Sequence, residues 1–452
     1  MQRSAQLITA QWLITAHESG VQTIESGAVH VDGAGHIVAV GTATELRSAL
    51  DRSGAAHTVV DLGASILMPG LINAHTHAAM SLLRGAADDM ALSDWLQKRI
   101  WPMEAALVDE SFVLVGTQLA AAEMLLGGTT TCADMYFYPK SAANAFLSMG
   151  MRAQLALPIL DFPTRYAADP DAYLALGLEA RDEFKGEALL SFALGPHAPY
   201  TVGDATFARI NAYAAELGMV VHTHLQETAQ EVVDAVAKNG VRPTERLQKL
   251  GTLSPDFLGA HGVHLNDADI ALLAQNNASI VHCPSSNLKL ASGIAPVSAM
   301  LKAGINVALG TDGAASNNRL DLFEEMRLMA LLAKVKANNA TAVTAAQAFA
   351  AATLGGARAL GLSDTTGSIA PGKAADLVAV ATSRVGMTPL YDPVSHLVYA
   401  ATRDDVTDVW VGGDRRVTNR VLAANADRAL NDSMPAVNAF ATRVRALQHV
   451  DA

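Results

Sequence analysis

Eight short apolar runs alternate with helix-like segments between residues 66 and 365, and this alternation constrains the fold more than any other feature. Each run has the length of a β-strand, and the segments between the runs have the length and apolar spacing of helices. Eight such units predict an α/β protein with a (β/α)₈ barrel, whose active site lies at the carboxyl ends of the strands. The predicted strands are residues 66–72, 129–135, 152–160, 189–197, 219–224, 257–261, 279–284 and 305–312.

The two ends of the chain have a different pattern, in which short strand-like runs are separated by glycine-rich turns. We expect the ends to pair into one small, discontinuous β-sandwich domain made of residues 1–65 and 366–452, beside a barrel of residues 66–365. A terminal helix is predicted over residues 426–449. The strands predicted for the small domain are residues 13–16, 27–32, 35–40, 367–380 and 406–413.

Composition limits the classes of partner. The net charge of −12 and the lack of a basic block argue against binding to nucleic acid or to an anionic membrane, so a small-molecule substrate is expected. No apolar run has the length of a membrane-spanning helix. The two cysteines, Cys132 and Cys283, cannot form a disulfide framework, which favours a reducing cytoplasm. A homo-oligomer is expected from general frequency alone.

Two histidines, His75 and His77, end the first predicted strand. In an extended chain, residues i and i+2 point to the same face, so the two imidazoles lie side by side. Neutral imidazoles are common ligands of zinc. The alternative is a pair of incidental histidines in a loop, and the pair by itself does not decide between the two interpretations.

The ends of later strands add further candidates, His224 and Asp312. Three histidines and one carboxylate suit zinc or a similar divalent ion with a position left for water, whose pKa the ion lowers. Glu227 follows His224 by three residues, is not needed as a ligand, and is free to transfer protons. His261 ends the next strand and could orient the water. Asp312 could instead be an ordinary turn aspartate.

Four neighbouring residues have simpler interpretations. His222 shares a face with His224 but lies one layer deeper, so we expect it to pack or to hydrogen-bond a ligand. His264 and His282 are expected to pack or to support the site. Cys283 could be a thiolate ligand, but a single cysteine at a strand end is more often inert.

Four motifs resemble the deaminase branch of the amidohydrolase superfamily. They are Pro-Gly-Leu-Ile-Asn-Ala-His-Thr-His at 69–77, His-Thr-His-Leu-Gln-Glu at 222–227, Ala-His-Gly-Val-His at 260–264 and Gly-Thr-Asp-Gly-Ala-Ala-Ser-Asn-Asn at 310–318. The similarity extends over nearly the whole chain. Residues 94–104, Asp-Trp-Leu-Gln-Lys-Arg-Ile-Trp-Pro-Met-Glu, are most similar to the members that act on 5′-methylthioadenosine and S-adenosylhomocysteine.

This resemblance implies roles for individual residues. One divalent metal ion, most often zinc, would be held by His75, His77, His224 and Asp312. The nucleoside would be contacted by Glu104 on its ribose hydroxyls and by His197, Glu227, Asp312 and Ser316. Family members with two metals use a lysine at the end of the fourth strand, and residues 189–197 contain none, which favours one metal.

The activity implied is hydrolytic deamination of an adenine nucleoside to an inosine-type product and ammonia. Glu227 would protonate the purine ring, His261 would hold the attacking hydroxide, and Asp312 would pass a proton from water to the leaving amine. The alternatives are a deaminase or chlorohydrolase of guanine, a pterin or a triazine, and an inactive barrel that serves as a binding protein. An inactive relative should have lost ligands, whereas this chain keeps all four.

The third predicted strand indicates which 5′ substituent of the nucleoside the site can accept. Members acting on S-adenosylhomocysteine can carry an arginine after this strand, but residues 155–160 are apolar and the nearest downstream arginine is Arg165. We therefore expect 5′-methylthioadenosine and adenosine to be used at least as well as S-adenosylhomocysteine.

Overall fold

The computed structural model describes residues 4–448, and its centre is a sheet of eight parallel strands that neighbour one another in chain order. The strands, named the first to eighth barrel strands, are Leu71–Thr76, Thr129–Asp134, Arg152–Ile159, Leu190–Pro196, Val221–Leu225, Phe257–His261, Ser279–His282 and Asn306–Leu309. The predicted barrel is therefore confirmed. Its last strand meets its first at a seam, where the backbone N–H of Asp312 donates to the carbonyl of His75 at 3.0 Å.

Helices connect the barrel strands, and side chains at their amino ends define where several of them begin. The side chains of Asp109, Asp169 and Asp321 each accept backbone N–H groups from the first turn of the helix that follows. The main connecting helices are Glu110–Leu126, Pro139–Met149, Pro170–Phe184, Asp204–Leu217, Ala229–Asn239, Pro243–Lys249, Asp267–Gln275, Pro284–Lys289, Val297–Lys302 and Leu322–Lys336.

The remaining helical elements lie before, between and after these. Within the barrel they are Ala78–Leu83, Leu92–Trp95, Leu96–Ile100, Trp101–Leu107, Ala314–Asn317, Ala345–Ala350, Ala351–Gly355 and Gly356–Ala359. Outside it they are Ala43–Ser53, Val385–Met387, Pro393–Tyr399, Arg403–Asp405 and the long terminal helix Ala424–Gln448. The terminal helix was predicted over residues 426–449, and His449 lies outside the described residues. Phe440 of this helix packs edge-on against Phe112, with 5.2 Å between ring centroids.

The prediction of one strand over residues 66–72 is wrong, because the chain changes sheets at Gly70. Ser65–Pro69 pairs with Leu377–Ala381 in a different sheet, whereas the first barrel strand starts at Leu71. A Cβ atom at Gly70 would lie 2.0 Å from the hydroxyl oxygen of Thr130, so only glycine lets the chain pass here.

Two further sheets lie beside the barrel sheet, the first built from the N-terminal part of the chain alone and the second from both ends. One contains, in spatial order, Ile37–Thr42, Gly27–Val31, Ala5–Thr9 and His57–Asp61. The other contains Val421–Leu422, Asp414–Thr418, Val406–Val411, Leu377–Ala381, Ser65–Pro69, Trp12–His17 and Gly20–Glu25. A buried cluster that includes Ile8, Leu67 and Trp410 joins them. The division of the chain at residues 65 and 365 stays a prediction.

Among residues 4–448, no single helix combines the length and apolar character needed to cross a membrane. Residues 92–107 and 110–126 meet that test only when taken together, and the two helical segments are bent by 113° relative to each other.

Candidate metal centre and active site

Four side chains converge at the carboxyl ends of the first, fifth and eighth barrel strands. The Nε2 atoms of His77 and His224 lie 3.3 Å apart. The carboxylate Oδ1 of Asp312 lies 3.2 Å from Nε2 of His77 and 3.5 Å from Nε2 of His75. The donor atoms of His75, His77 and Asp312 all fall within 4.8 Å of one another, as do those of His75, His224 and His261. The sequence-predicted ligand set is thus brought together in space.

The hydrogen bonds of the histidines show what kind of group fits between them. Nδ1 of His77 donates to the carbonyl of Met135 at 2.5 Å, and Nδ1 of His224 donates to the carbonyl of His197 at 2.6 Å. A carbonyl can only accept, so in a neutral ring each Nε2 carries a lone pair. Two lone pairs that face each other across 3.3 Å repel, and a cation between them removes the repulsion. Nε2 of His75 is likewise buried without a hydrogen-bond partner.

Burial and the charge of Asp312 determine the pKa values of the three candidate histidine ligands. Burial lowers the pKa of His75 to about 4 and that of His224 well below the ordinary value. Burial also opposes a charge on His77, but the hydrogen bond and charge of Asp312 raise the pKa of His77 to about 9. The Asp312 carboxylate therefore favours positive charge at this point.

Hydrogen bonds from its own loop and from two serines hold Asp312 in place. Its backbone is left-handed, with φ of 61°, and its Oδ1 accepts the N–H of Gly313 at 2.8 Å. Its Oδ2 accepts hydroxyl hydrogen bonds from Ser286 at 2.7 Å and from Ser316 at 2.8 Å. Ser316 is buried behind the carboxylate and is not among the residues that line the adjoining cavity, where the sequence resemblance had placed it.

His222 also lies behind a candidate ligand. Its Nε2 is 3.0 Å from Nδ1 of His75, and its ring is fully buried. This contact fixes the orientation of the His75 ring, as a hydrogen-bonding partner of a metal ligand does. His264 instead bonds the carbonyl of Ser292 at 2.7 Å, and His282 is buried in the barrel.

Glu227 and His261 lie beside the four converging side chains. Oε2 of Glu227 is 3.7 Å from Nε2 of His261, whose Nδ1 is 2.8 Å from Oδ1 of Asn287. Burial raises the pKa of Glu227 above its ordinary value, so this acid more readily carries a proton near neutral pH. Asn287 and Ser286 follow the seventh barrel strand and were not among the predicted site residues, although His282 and Cys283 lie just before them.

A cavity of about 290 Å³ opens from this site. His77, His224, Glu227, His261 and Asp312 form its floor. Its upper wall is largely aromatic and comprises Trp95, Trp101, Tyr136, Phe137, Tyr138, Phe162 and Tyr166.

Three polar or charged residues from elsewhere in the chain also face the cavity. Glu104, from the helix Trp101–Leu107, accepts a 2.7 Å hydrogen bond from the hydroxyl of Tyr136, and desolvation raises its pKa to about 7. His197 bonds the Thr201 hydroxyl at 3.0 Å, and burial lowers its pKa to about 3. Arg165 lines the same cavity, so a cation is present where the apolar third strand had suggested none.

Sequence comparison identifies relatives over most of the chain. A model of the Amidohydrolase family matches residues 66–416. A 5-methylthioadenosine/S-adenosylhomocysteine deaminase of Teredinibacter turnerae is 50% identical over 363 residues, which cover 80% of this chain and 82% of that protein. A 5'-deoxyadenosine deaminase of Methanosarcina barkeri is 41% identical over 395 residues, covering 87% of this chain and 91% of that protein.

Structural comparison gives the same relationship. The crystal structure of an adenosine deaminase from Xanthomonas campestris with bound zinc is 45% identical, with a TM-score of 0.93 over 98% of this chain and 99% of that one. The barrel and the converging histidines agree with these similarities. The chain therefore belongs to the amidohydrolase family.

Proposed function

We propose that this chain catalyses the hydrolytic deamination of adenine nucleosides, releasing ammonia and an inosine-type product. One observation carries the proposal: the candidate metal ligands share a cavity with Glu227, an acid whose pKa is raised by burial, and with the carboxyl group of Glu104 on the wall. The deaminase relatives, which are named for adenine nucleosides, support the same choice of substrate.

The metal proposed for this site is one zinc ion per chain, held by His75, His77, His224 and Asp312. Three imidazole nitrogens and one carboxylate oxygen are a donor set that zinc prefers. A zinc ion bound here supplies a Lewis acid that lowers the pKa of a water molecule. The fit rests on the facing lone pairs of His77 and His224 and on the partnerless Nε2 of His75.

Proton transfers are assigned to Glu227 and Asp312. Glu227, with its raised pKa, donates a proton to N1 of the purine, which allows the ring to accept electron density at C6. Asp312 accepts one proton of the attacking water and returns it to the departing amine. As the C6 carbonyl forms, the C6 hydroxyl gives its proton back to Glu227. His261, held through Nδ1 by Asn287, directs its Nε2 towards Glu227 and orients the attacking oxygen.

We assign the sugar of the nucleoside to the wall of the cavity that contains Glu104. The carboxylate of Glu104 is placed to accept hydrogen bonds from the two ribose hydroxyls, and His197 lies beside His224 with 4.8 Å between ring centroids, where it can contact the base or sugar. The role proposed for Ser316 changes: it positions Asp312 and does not contact the nucleoside.

The 5′ substituent is assigned to the aromatic end of the cavity. Trp101 and Phe162 lie 6.2 Å apart between ring centroids and suit a thioether. Arg165 lines the cavity there, and the only hydrogen bond that its guanidinium makes within residues 4–448 is a 3.4 Å contact to the carbonyl of Ala106. It can therefore bind the carboxylate of an amino-acid tail, which brings S-adenosylhomocysteine within the substrate range. A cytoplasmic location and a homo-oligomer stay predictions.

A substrate panel tests the proposal. Purified enzyme is assayed with adenosine, 5′-methylthioadenosine, S-adenosylhomocysteine, guanine and a chlorotriazine, by ultraviolet absorbance and ammonia release. Turnover of the adenine nucleosides with stoichiometric ammonia is expected. Turnover of guanine or the triazine, with none of any adenine nucleoside, would overturn it.

A further inference from the structure

Tyr136 is a buried tyrosine that the mechanism above does not use. It follows the second barrel strand, is 6% exposed, and lines the substrate cavity. Its hydroxyl donates a 2.7 Å hydrogen bond to Oε1 of Glu104. A buried tyrosine hydroxyl normally has a partner, but here the partner is the carboxylate assigned to the sugar.

The hydrogen bond joins two separate parts of the protein. Glu104 belongs to the helix Trp101–Leu107, which is not part of the barrel sheet, whereas Tyr136 lies two residues after the end of a barrel strand. The ring of Tyr136 is also close to the candidate metal ligand His77, with 6.3 Å between centroids. Tyr136 therefore connects the position of the Glu104 carboxylate to the position of the metal centre.

The hydrogen bond from Tyr136 uses only part of the hydrogen-bond acceptor capacity of the Glu104 carboxylate. An ionised carboxyl group has about four acceptor positions on its two oxygens. Tyr136 occupies one position on Oε1, and Oε2 has no partner among the described hydrogen bonds. The remaining acceptor positions of Glu104 are enough for two hydroxyl groups. The hydrogen bond from Tyr136 sets the direction in which these positions point.

We propose that Tyr136 is a positioning residue for ribose specificity: its hydroxyl holds Glu104 in the orientation that accepts the 2′- and 3′-hydroxyls of the nucleoside. The inference rests on the proposed function, because it assumes that the sugar of an adenine nucleoside lies against Glu104.

The same hydrogen bond affects the charge of Glu104. Desolvation raises the pKa of Glu104, and the Tyr136 hydrogen bond and the charge of His77 lower it, with a result of about 7. Tyr173, on the helix Pro170–Phe184, is a further titratable group that interacts with Glu104. Loss of the Tyr136 hydroxyl should raise the pKa further and leave Glu104 protonated, and therefore a poorer acceptor, at neutral pH.

The test compares Tyr136→Phe with the wild type on adenosine and on 2′,3′-dideoxyadenosine. We expect KM for adenosine to rise about tenfold or more with kcat nearly unchanged, because the bond is made equally in the ground and transition states. The dideoxy substrate lacks the 2′- and 3′-hydroxyls that Glu104 would bind, so its kinetics should not change. The ratio of the two kcat/KM values is measured on one sample and is independent of the fraction of folded enzyme.

Two controls separate this role from a general effect on packing. Tyr399→Phe removes a tyrosine hydroxyl outside the cavity, which accepts a hydrogen bond from Lys334 at 3.0 Å, and should leave the substrate ratio unchanged. In a Glu104→Gln background, Tyr136→Phe should have no further effect on that ratio. In Tyr136→Phe alone, the rise in adenosine KM at low pH should begin at a higher pH than in the wild type.

The outcomes distinguish the two proposals. If the wild type deaminates no adenine nucleoside, the proposed function fails. If it does so but Tyr136→Phe keeps the wild-type ratio of adenosine to dideoxyadenosine, or lowers kcat equally for both, the function stands and the inference about Tyr136 is wrong.

Discussion

The side chain of Glu231 accepts a 2.8 Å hydrogen bond from the backbone N–H of Glu227, so one acid fixes the backbone of another. Its second oxygen accepts the N–H of Gln226 at 3.0 Å, and Gln226 has a left-handed φ of 48°. Without both acceptors, the turn that aims Glu227 at the cavity loses its support.

Glu231→Gln should therefore reduce kcat by about tenfold with little change in KM, since an amide offers only one acceptor oxygen to the two N–H groups. Steady-state kinetics check this. Asp234→Asn, an exposed position on the same helix, is the matched control, and equal losses in the two variants would contradict a specific role for Glu231.

The metal centre predicts a fixed stoichiometry. Elemental analysis of freshly purified enzyme should find one zinc ion per chain, and removal by a chelator should abolish activity and lower the melting temperature, because the ion binds the folded state. His224→Ala should lose the metal. Two tightly bound ions per chain, or an active enzyme without metal, would show that the four-ligand assignment is wrong.

Glu227→Gln isolates proton transfer from binding. The amide keeps the shape of the side chain but cannot donate an acidic proton, so kcat should fall by about 10²-fold or more while metal content stays at one ion per chain. Nearly normal turnover would assign the proton transfer to another group.

The position of Arg165 in the cavity predicts that its removal affects two substrates differently. Arg165→Ala should lower kcat/KM for S-adenosylhomocysteine by about tenfold or more and leave 5′-methylthioadenosine nearly unaffected, because only the former carries a carboxylate. Arg209→Ala, which removes an exposed arginine paired with Asp171, is the control. Equal effects on both substrates would place the amino-acid tail elsewhere.

Glu325 predicts a pH dependence of stability. Burial raises its pKa to about 8 in the folded protein, against an ordinary value of 4.5. Between these two values the folded state binds the extra proton, so Glu325 makes the protein less stable as pH rises from 4.5 to 8. Thermal melts should show a smaller loss over this range for Glu325→Gln than for the wild type, and parallel curves would contradict the prediction.

Much of the barrel could be predicted from sequence because a (β/α)₈ fold places its polar residues at strand ends. His75, His77, His224 and Asp312 each end an apolar run, and the structure brings them within contact of one another. The boundary at Gly70 could not be predicted, because the run of apolar residues continues while the chain passes from one sheet to another.

The residues that support the site could not be predicted from the strand pattern. Ser286, Asn287 and Tyr136 lie within a few residues of strand ends, which was the available signal. Their roles depend on side-chain direction and on partners remote in sequence: 26 residues separate Ser286 from Asp312, and 32 separate Tyr136 from Glu104. Strand periodicity carries no information about such pairs.

The seam of the barrel has a consequence for how the enzyme matures. Asp312 and His75 are both candidate metal ligands, and the hydrogen bond between their backbones is also where the last strand joins the first. During synthesis, His75 leaves the ribosome long before Asp312, so a complete ligand set cannot exist until the whole barrel has emerged. Metal binding would then be a late step in folding, and it would stabilise only those chains in which the first and last barrel strands have come together.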